Sequence, residues 1–140
     1  MILDSSALVA ILKDEPEAPE LLQALGRDEC ILYSAASYLE TSIVIDSLRD
    51  PALSNRFDAL LERLHIQIEP VTAEQARIAR QAYRDYGRGS GHPANLNFGD
   101  CFSYALARDK RQPILFKGED FIHTDLRSAL IGTGTEGRRD

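Results

Sequence analysis

Cysteine is scarce in this chain. Cys30 and Cys101 are its only two, too few for a disulfide framework and lacking the paired spacing of a zinc site. Both are expected to be reduced thiols in the core. Long apolar runs are missing as well: no stretch approaches the roughly 18 to 20 residues a membrane-spanning helix needs. A charged residue already stands at position 4, which leaves no room for the apolar core of a signal peptide. The expectation is a cytoplasmic protein with no membrane segment. Positive charge is in deficit, with 16 Lys and Arg against 22 Asp and Glu and a formal net charge of −6. That excludes a grip on nucleic acid through bulk positive potential, but not through a local basic face. Neither a Gly-x-x-x-x-Gly-Lys phosphate loop nor a Gly-x-Ser-x-Gly elbow occurs, so nucleotide-loop and serine-hydrolase readings lack their motifs. There is no internal repeat and no interdomain linker.

The 140 residues, 44% of them hydrophobic, suffice for the core of one domain. Short β-rich apolar runs near 1–3, 30–33, 66–69 and 113–116 alternate with helix-period segments at 5–12, 17–25, 34–48, 51–64, 72–86 and 100–108. This alternation predicts an α/β fold with a central parallel sheet flanked by helices. Residues 87–98 make a glycine-rich connector that is long for a compact domain, a type of loop that often carries function. Residues 132–140 hold glycines and charges without an apolar anchor, and are expected to be a flexible tail after a single domain over 1–131.

Asp4, Glu40, Asp100 and Asp120 each fall where a strand ends or a helix begins. Singly, helix capping explains them: Asp4 at the first helix, capping boxes at 37–40 and 97–100, Asp120 at a terminal helix. Jointly they say more, because groups at the carboxyl ends of strands in an open parallel sheet converge on one crevice. Two carboxylates about 5 Å apart repel by roughly 3 kcal/mol at an effective dielectric near 20. A hard dication offsets that cost, and Mg²⁺ or Mn²⁺ suits oxygen ligands supplemented by waters.

Four segments carry a resemblance in their order along the chain. They are Met1-Ile2-Leu3-Asp4-Ser5-Ser6-Ala7, Ser37-Tyr38-Leu39-Glu40-Thr41, Asn97-Phe98-Gly99-Asp100-Cys101-Phe102 and Leu115-Phe116-Lys117-Gly118-Glu119-Asp120-Phe121. Together they resemble the PIN-domain ribonucleases, most closely the VapC toxin subgroup of bacterial toxin–antitoxin pairs. The resemblance implies a three-layer PIN-like fold and a Mg²⁺-dependent endoribonuclease, with Mn²⁺ as a substitute ion. Its catalytic acids would be Asp4, Glu40, Asp100 and Asp120, with Asp4 and Asp100 as metal ligands. Ser6 would orient a carboxylate or a water beside the ion. Water activated at the metal would cut RNA and leave 5′-phosphate and 3′-hydroxyl ends. The family also implies homodimerisation and a VapB-type antitoxin partner, whose arginine would suit the acidic crevice. Glu119 beside Asp120 leaves open which acid faces the cluster.

Arg77, Arg80 and Arg84 recur at helical spacing and lead to Arg88 at the glycine-rich loop, either as an RNA track or as a solvated face paired with Glu74 and Asp85. His92 and Lys117 are further candidates for contact with substrate. For Lys117 the simpler role is a salt bridge, and for His92 an exposed place in the loop. Phe98, Phe102, Tyr104 and Leu106 suit a helix face packed on the sheet or on another subunit. Two alternatives stand beside the nuclease: a receiver-like Mg²⁺-binding module, and a PIN scaffold that binds RNA without cutting it.

Overall fold

A computed structural model describes residues 1–130 of the chain; the tail expected over 132–140 lies outside them. The described residues form four strands, β1 (Ile2–Leu3), β2 (Leu32–Ser34), β3 (Gln67–Glu69) and β4 (Ile114–Leu115). Six helices accompany them: α1 (Ser5–Leu12), α2 (Ala18–Gly26), α3 (Ala35–Ser47), α4 (Pro51–Arg63), α5 (Ala73–Tyr86) and α6 (Phe98–Lys110). The sheet is parallel throughout, in the order β3-β2-β1-β4. Ile2 pairs with Leu32 on one side and Ile114 on the other. The first strand is therefore central, and it is clasped between the second strand and the last.

Alternation along these short strands builds two cores. Leu3, Tyr33 and Leu115 point to the face covered by α1, α2 and α4, where they meet Leu8, Leu21 and Phe57. Ile2, Leu32 and Ile114 point to the opposite face, against Ala82 of α5 and Leu106 of α6. Helices on both faces of a parallel sheet give the expected three-layer α/β arrangement. Helices α5 and α6 run antiparallel. Gln75 donates to Asp109 at 3.0 Å at one end of the pair, and the rings of Tyr86 and Tyr104 lie 5.8 Å apart towards the other.

Four local expectations are corrected. No capping box forms at 37–40, because the backbone is already helical from Ala35 and the N-cap is Ser34, without a side-chain cap bond. No helix follows Asp120 among the described residues; turns there lead to a bridge between Ser128 and Ile114 on the sheet edge. Cys30 is exposed at the start of its strand, and only Cys101 is buried. Phe98 is 76% exposed and touches Phe102 edge-on instead of packing on the sheet. Its place is the first turn of α6, and the apolar floor beneath begins three residues later at Cys101. Tyr104 and Leu106 are buried as the periodicity demands.

The glycine-rich connector is more tightly held than its composition suggests. Leu96 donates to the Tyr86 carbonyl at 2.8 Å and accepts from Arg88 at 2.9 Å, closing the loop at its base. Gly89 and Gly91 supply positive φ angles that other residues adopt at a cost. Ala94 and Leu96 are buried and anchor the loop in the core.

Candidate active site

The carboxyl ends of β1 and β4 and the N-terminus of α6 converge because β4 pairs directly with β1 while α6 packs beneath both. Asp4 lies at the end of β1 with 5% exposure. It caps α1, its Oδ2 accepting from the Ser6 backbone at 3.0 Å, and this bond fixes the direction of the carboxylate. The bland reading of Asp4 and the chemical one are thus compatible. The Ser6 hydroxyl has a further partner: Oγ accepts from the Lys117 backbone at 3.0 Å and ties the loop after β4 to the first turn of α1.

Asp100 is the third residue of α6, because the helix begins at Phe98, two places before the start that the sequence suggests. It forms a full capping box with Asn97, its Oδ2 accepting from the Asn97 backbone at 3.0 Å and its own N–H donating to Asn97 Oδ1 at 2.8 Å. One carboxylate oxygen is thereby committed, and the other is left for the cleft. Burial raises the Asp100 carboxyl to about 7; the Asn97 N–H opposes the rise, and the negative charges of Asp4 and Asp120 add to it. Asp120 stands within hydrogen-bonding reach of Asp100. Of the two neighbouring acids, both exposed, Asp120 is the one whose charge acts on Asp100.

Glu40 reaches the cluster from α3. Its carboxylate lies against the backbone of Gly99, so close that a Cβ built there would sit 2.7 Å from Oε1. Below it, the buried Tyr33 hydroxyl lies 3.0 Å from Ser5 Oγ and 2.9 Å from Thr41 Oγ1, the chain neighbours of Asp4 and Glu40. Burial pushes Tyr33 up to about 12, and the charges of Asp4 and Glu40 push in the same direction. Tyr33 and Gly99 were missed in the sequence. The available signal for Tyr33 was a polar tip on an otherwise aliphatic strand, which needs partners when buried.

The remaining expected residues are distributed as follows. Lys117 pairs with Glu15 at 2.5 Å, an acid that sequence reasoning passed over. Both line a cleft of about 390 Å³ with Ser5, Ser6, Glu40 and Val44. His92 staples its own loop: Nδ1 accepts from the Ala94 backbone at 3.1 Å, and the ring stands edge-on to Tyr86. Arg77 pairs with Glu74 at 3.3 Å, whereas Asp85 accepts from Gln81 rather than from an arginine. Arg80, Arg84 and Arg88 are exposed. Because α5 and α6 are antiparallel, Arg84 and Arg88 lie at the acid-bearing end and Arg77 at the far one.

Among the described residues no three His, Cys, Asp or Glu side chains form a ready metal cage. The donor set nonetheless fits a hard dication with few protein ligands. It consists of carboxylate oxygens; burial raises Asp100 most, and the negative charges of Asp4 and Asp120 that add to the rise are what such a cation would offset. Asp4 and Asp100, each oriented by a backbone N–H, are the residues that would hold it. The receiver-like alternative loses its geometry, since the strand ending at Glu69 is an edge strand and the Lys117 ammonium is engaged by Glu15.

Comparison with known proteins agrees with this architecture. The PIN domain family matches residues 1–126. Ribonuclease VapC28 of Mycobacterium tuberculosis is 57% identical over 130 residues, covering 93% of this chain and 98% of its own. Ribonuclease VapC42 of the same species is 51% identical over 129 residues, with 92% and 98% covered. Two solved structures share the fold at low identity. Mycobacterium tuberculosis VapC20, a sarcin-ricin loop cleaving toxin, has a TM-score of 0.69 at 17% identity, covering 89% of this chain and 95% of that one. A toxin–antitoxin complex from Klebsiella pneumoniae has a TM-score of 0.68 at 15% identity, with 89% and 92% covered. With acids brought to the carboxyl ends of adjacent parallel strands, and with this breadth of identity, the chain belongs to the PIN-domain family, in its VapC ribonuclease branch.

Proposed function

We propose that this protein is a Mg²⁺-dependent endoribonuclease, the toxin of a toxin–antitoxin pair, which hydrolyses RNA phosphodiesters to leave 5′-phosphate and 3′-hydroxyl ends. The observation that carries the reading is the convergence of Asp4, Asp100 and Asp120, near enough for the first and last to add to the raised Asp100 carboxyl, with Glu40 against the adjacent Gly99. PIN-domain ribonucleases are metal-dependent, and Mg²⁺ fits a site with two direct carboxylates and room for waters, with Mn²⁺ as a substitute. When bound, such an ion acidifies water and offsets charge on the phosphoryl oxygens.

The chain's own residues supply orientation and charge. Asp4 and Asp100 are held by backbone donors, so little ordering is needed when they bind. Asp120 and Glu40 contribute negative charge from opposite sides and would act through water. A carboxyl near 7 at Asp100 can hold a proton in the metal-free protein and release it when a cation arrives. Ser6, by tying the Lys117 backbone to α1, steadies the loop that carries Asp120. Arg80 and Arg84, exposed on α5, are the RNA contacts that this geometry favours; Arg77 contributes less because Glu74 engages it. Lys117 reaches substrate once its pair with Glu15 opens, and His92 acts by shaping its loop.

Two partners beyond RNA belong to the reading. A VapB-type antitoxin would cover the acidic cleft, where an arginine fork finds carboxylates in reach. A second copy of the chain would cover the exposed Leu39, Ile43 and Val44 of α3 and Leu48 at its C-cap. No helix among the described residues is long and apolar enough to cross a membrane.

The test is incubation of the antitoxin-free protein with total RNA, with and without Mg²⁺, followed by mapping of the ends. Metal-dependent fragments with 5′-phosphates are expected. Fragments ending in 2′,3′-cyclic phosphate would contradict hydrolysis by water.

A further inference from the structure

A second cavity lies at the other end of α6. From Asp100 to the C-cap Arg111 the helix rises roughly 16 Å at 1.5 Å per residue, so this groove is well separated from the acid cluster. Its volume is about 450 Å³. Ile78, Ala107 and Leu126 give it an apolar floor, and Arg108, Arg111 and Arg127 give it a basic wall. Glu74 and Asp125 also line it, but both are occupied. Glu74 accepts from Arg77, while Asp125 accepts from the Tyr104 hydroxyl at 2.6 Å and is paired with Arg108. Arg111 and Arg127 are exposed, with no ion pair among the described residues.

In a chain of net charge −6, three arginines over an apolar floor need an explanation. Ile78 lines the groove from α5, the same helix whose exposed face carries Arg77, Arg80 and Arg84 towards the acid-bearing end. Along α5, Ile78 of the groove stands one residue from Arg77 and two from Arg80 of the stripe. Guanidinium groups without an acid partner suit phosphates, and an aliphatic floor is surface that the face of an unpaired base can cover.

We propose that this groove is an RNA exosite: it holds an unpaired nucleotide of the substrate, with Arg111 and Arg127 on its phosphates, while a distant bond of the same strand lies at the acid cluster. The inference rests on the ribonuclease reading for the identity of the ligand. Its consequence is that recognition extends well beyond the scissile bond, along α5.

The experiment uses the full chain carrying Arg111→Asn with Arg127→Gln. Asn tolerates the left-handed backbone at position 111, where φ is 55°. Binding of a labelled single-stranded RNA of about 16 nucleotides is measured in chelator, so that nothing is cleaved. The double variant should bind at least tenfold more weakly, with a salt slope smaller by about 1.4 for two lost phosphate contacts. Arg63→Gln on α4 should leave binding unchanged, and Arg111→Lys with Arg127→Lys should recover most of it. Wild-type affinity in the first double variant overturns the exosite, as does a wild-type protein that does not bind RNA, or a lysine pair as weak as the neutral one. Cleavage of the same RNA with Mg²⁺ separates the two ideas. Groove-dependent binding without cleavage would remove the ribonuclease reading and keep the groove; cleavage indifferent to Arg111 and Arg127 would do the reverse.

Discussion

Gly99 shows how one missing methyl group can serve a site. A Cβ at that position would collide with both Glu40 carboxylate oxygens, at 2.7 and 2.8 Å, yet those atoms end a flexible side chain and can swing away. Gly99→Ala should therefore fold normally, and could gain up to about 1 kcal/mol from the helix preference for alanine. Ribonuclease activity should fall as far as in Glu40→Gln. Thermal melts and cleavage rates on the same preparation check this, and retained activity would detach Glu40 from the chemistry. Asp100 offers a second test. Its carboxyl is raised to about 7 in the fold and lies near 4 in an unfolded chain. Between those values the native protein keeps a proton that the unfolded chain has released, so the metal-free protein should lose stability as pH rises from about 4 to 7. Asp100→Asn should flatten that slope and abolish cleavage; denaturation midpoints in chelator across the window are the measurement. The acids themselves were legible in the sequence because strand ends and helix starts can be read from local pattern. Their spacing was not, since the direction of Glu40 depends on a glycine in a different segment.

At the level of elements, Tyr33 links what the sheet alone would leave loose. Its hydroxyl lies between Ser5 of α1 and Thr41 of α3, each next to an acid, and it also donates to the Ser37 carbonyl. Tyr33→Phe leaves those partners buried with less to bond. The expected cost is about 1 to 3 kcal/mol in stability, together with a drop in turnover as α1 and α3 drift, read by chemical denaturation and by steady-state kinetics. Helix periods and strand order were recoverable from sequence because apolar spacing records which face is buried. The boundaries failed where capping competes. Ser37 to Glu40 has the composition of a box, but α3 is already helical from Ala35, so the box has no open end to cap. After Asp120 a short edge bridge replaces the expected helix, since Ile114 still has an N–H and a C=O to satisfy: it donates to the Arg127 carbonyl and accepts from Ala129.

Across the whole molecule, charge and apolar surface are sorted to different faces. The α3 face, with Leu39, Ile43, Val44 and Leu48 exposed, is the surface proposed to meet a second copy, and Glu40 sits within it. Ile43→Asp should convert a dimer to a monomer at micromolar concentration while leaving secondary structure intact, as light scattering and circular dichroism would report. A wild-type monomer at high concentration would move that apolar face to some other partner. Net charge gave no hint of a basic groove, because a total hides its own distribution: Arg111 and Arg127 are far apart in sequence from Ile78 and share a groove with it only after α5 and α6 pack.

The central position of the first strand also governs when the site can exist. Ile2 and Leu3 are flanked on one side by Ile114 and Leu115, and Asp120 follows only after that last pairing. A nascent chain emerging from a ribosome thus carries Asp4 early but lacks Asp100 and Asp120 until synthesis has passed them, so no shorter translation product holds the complete acid set. For an enzyme aimed at RNA this is a form of latency written into topology: the machinery that makes it is not exposed to it until nearly all of the domain has been made.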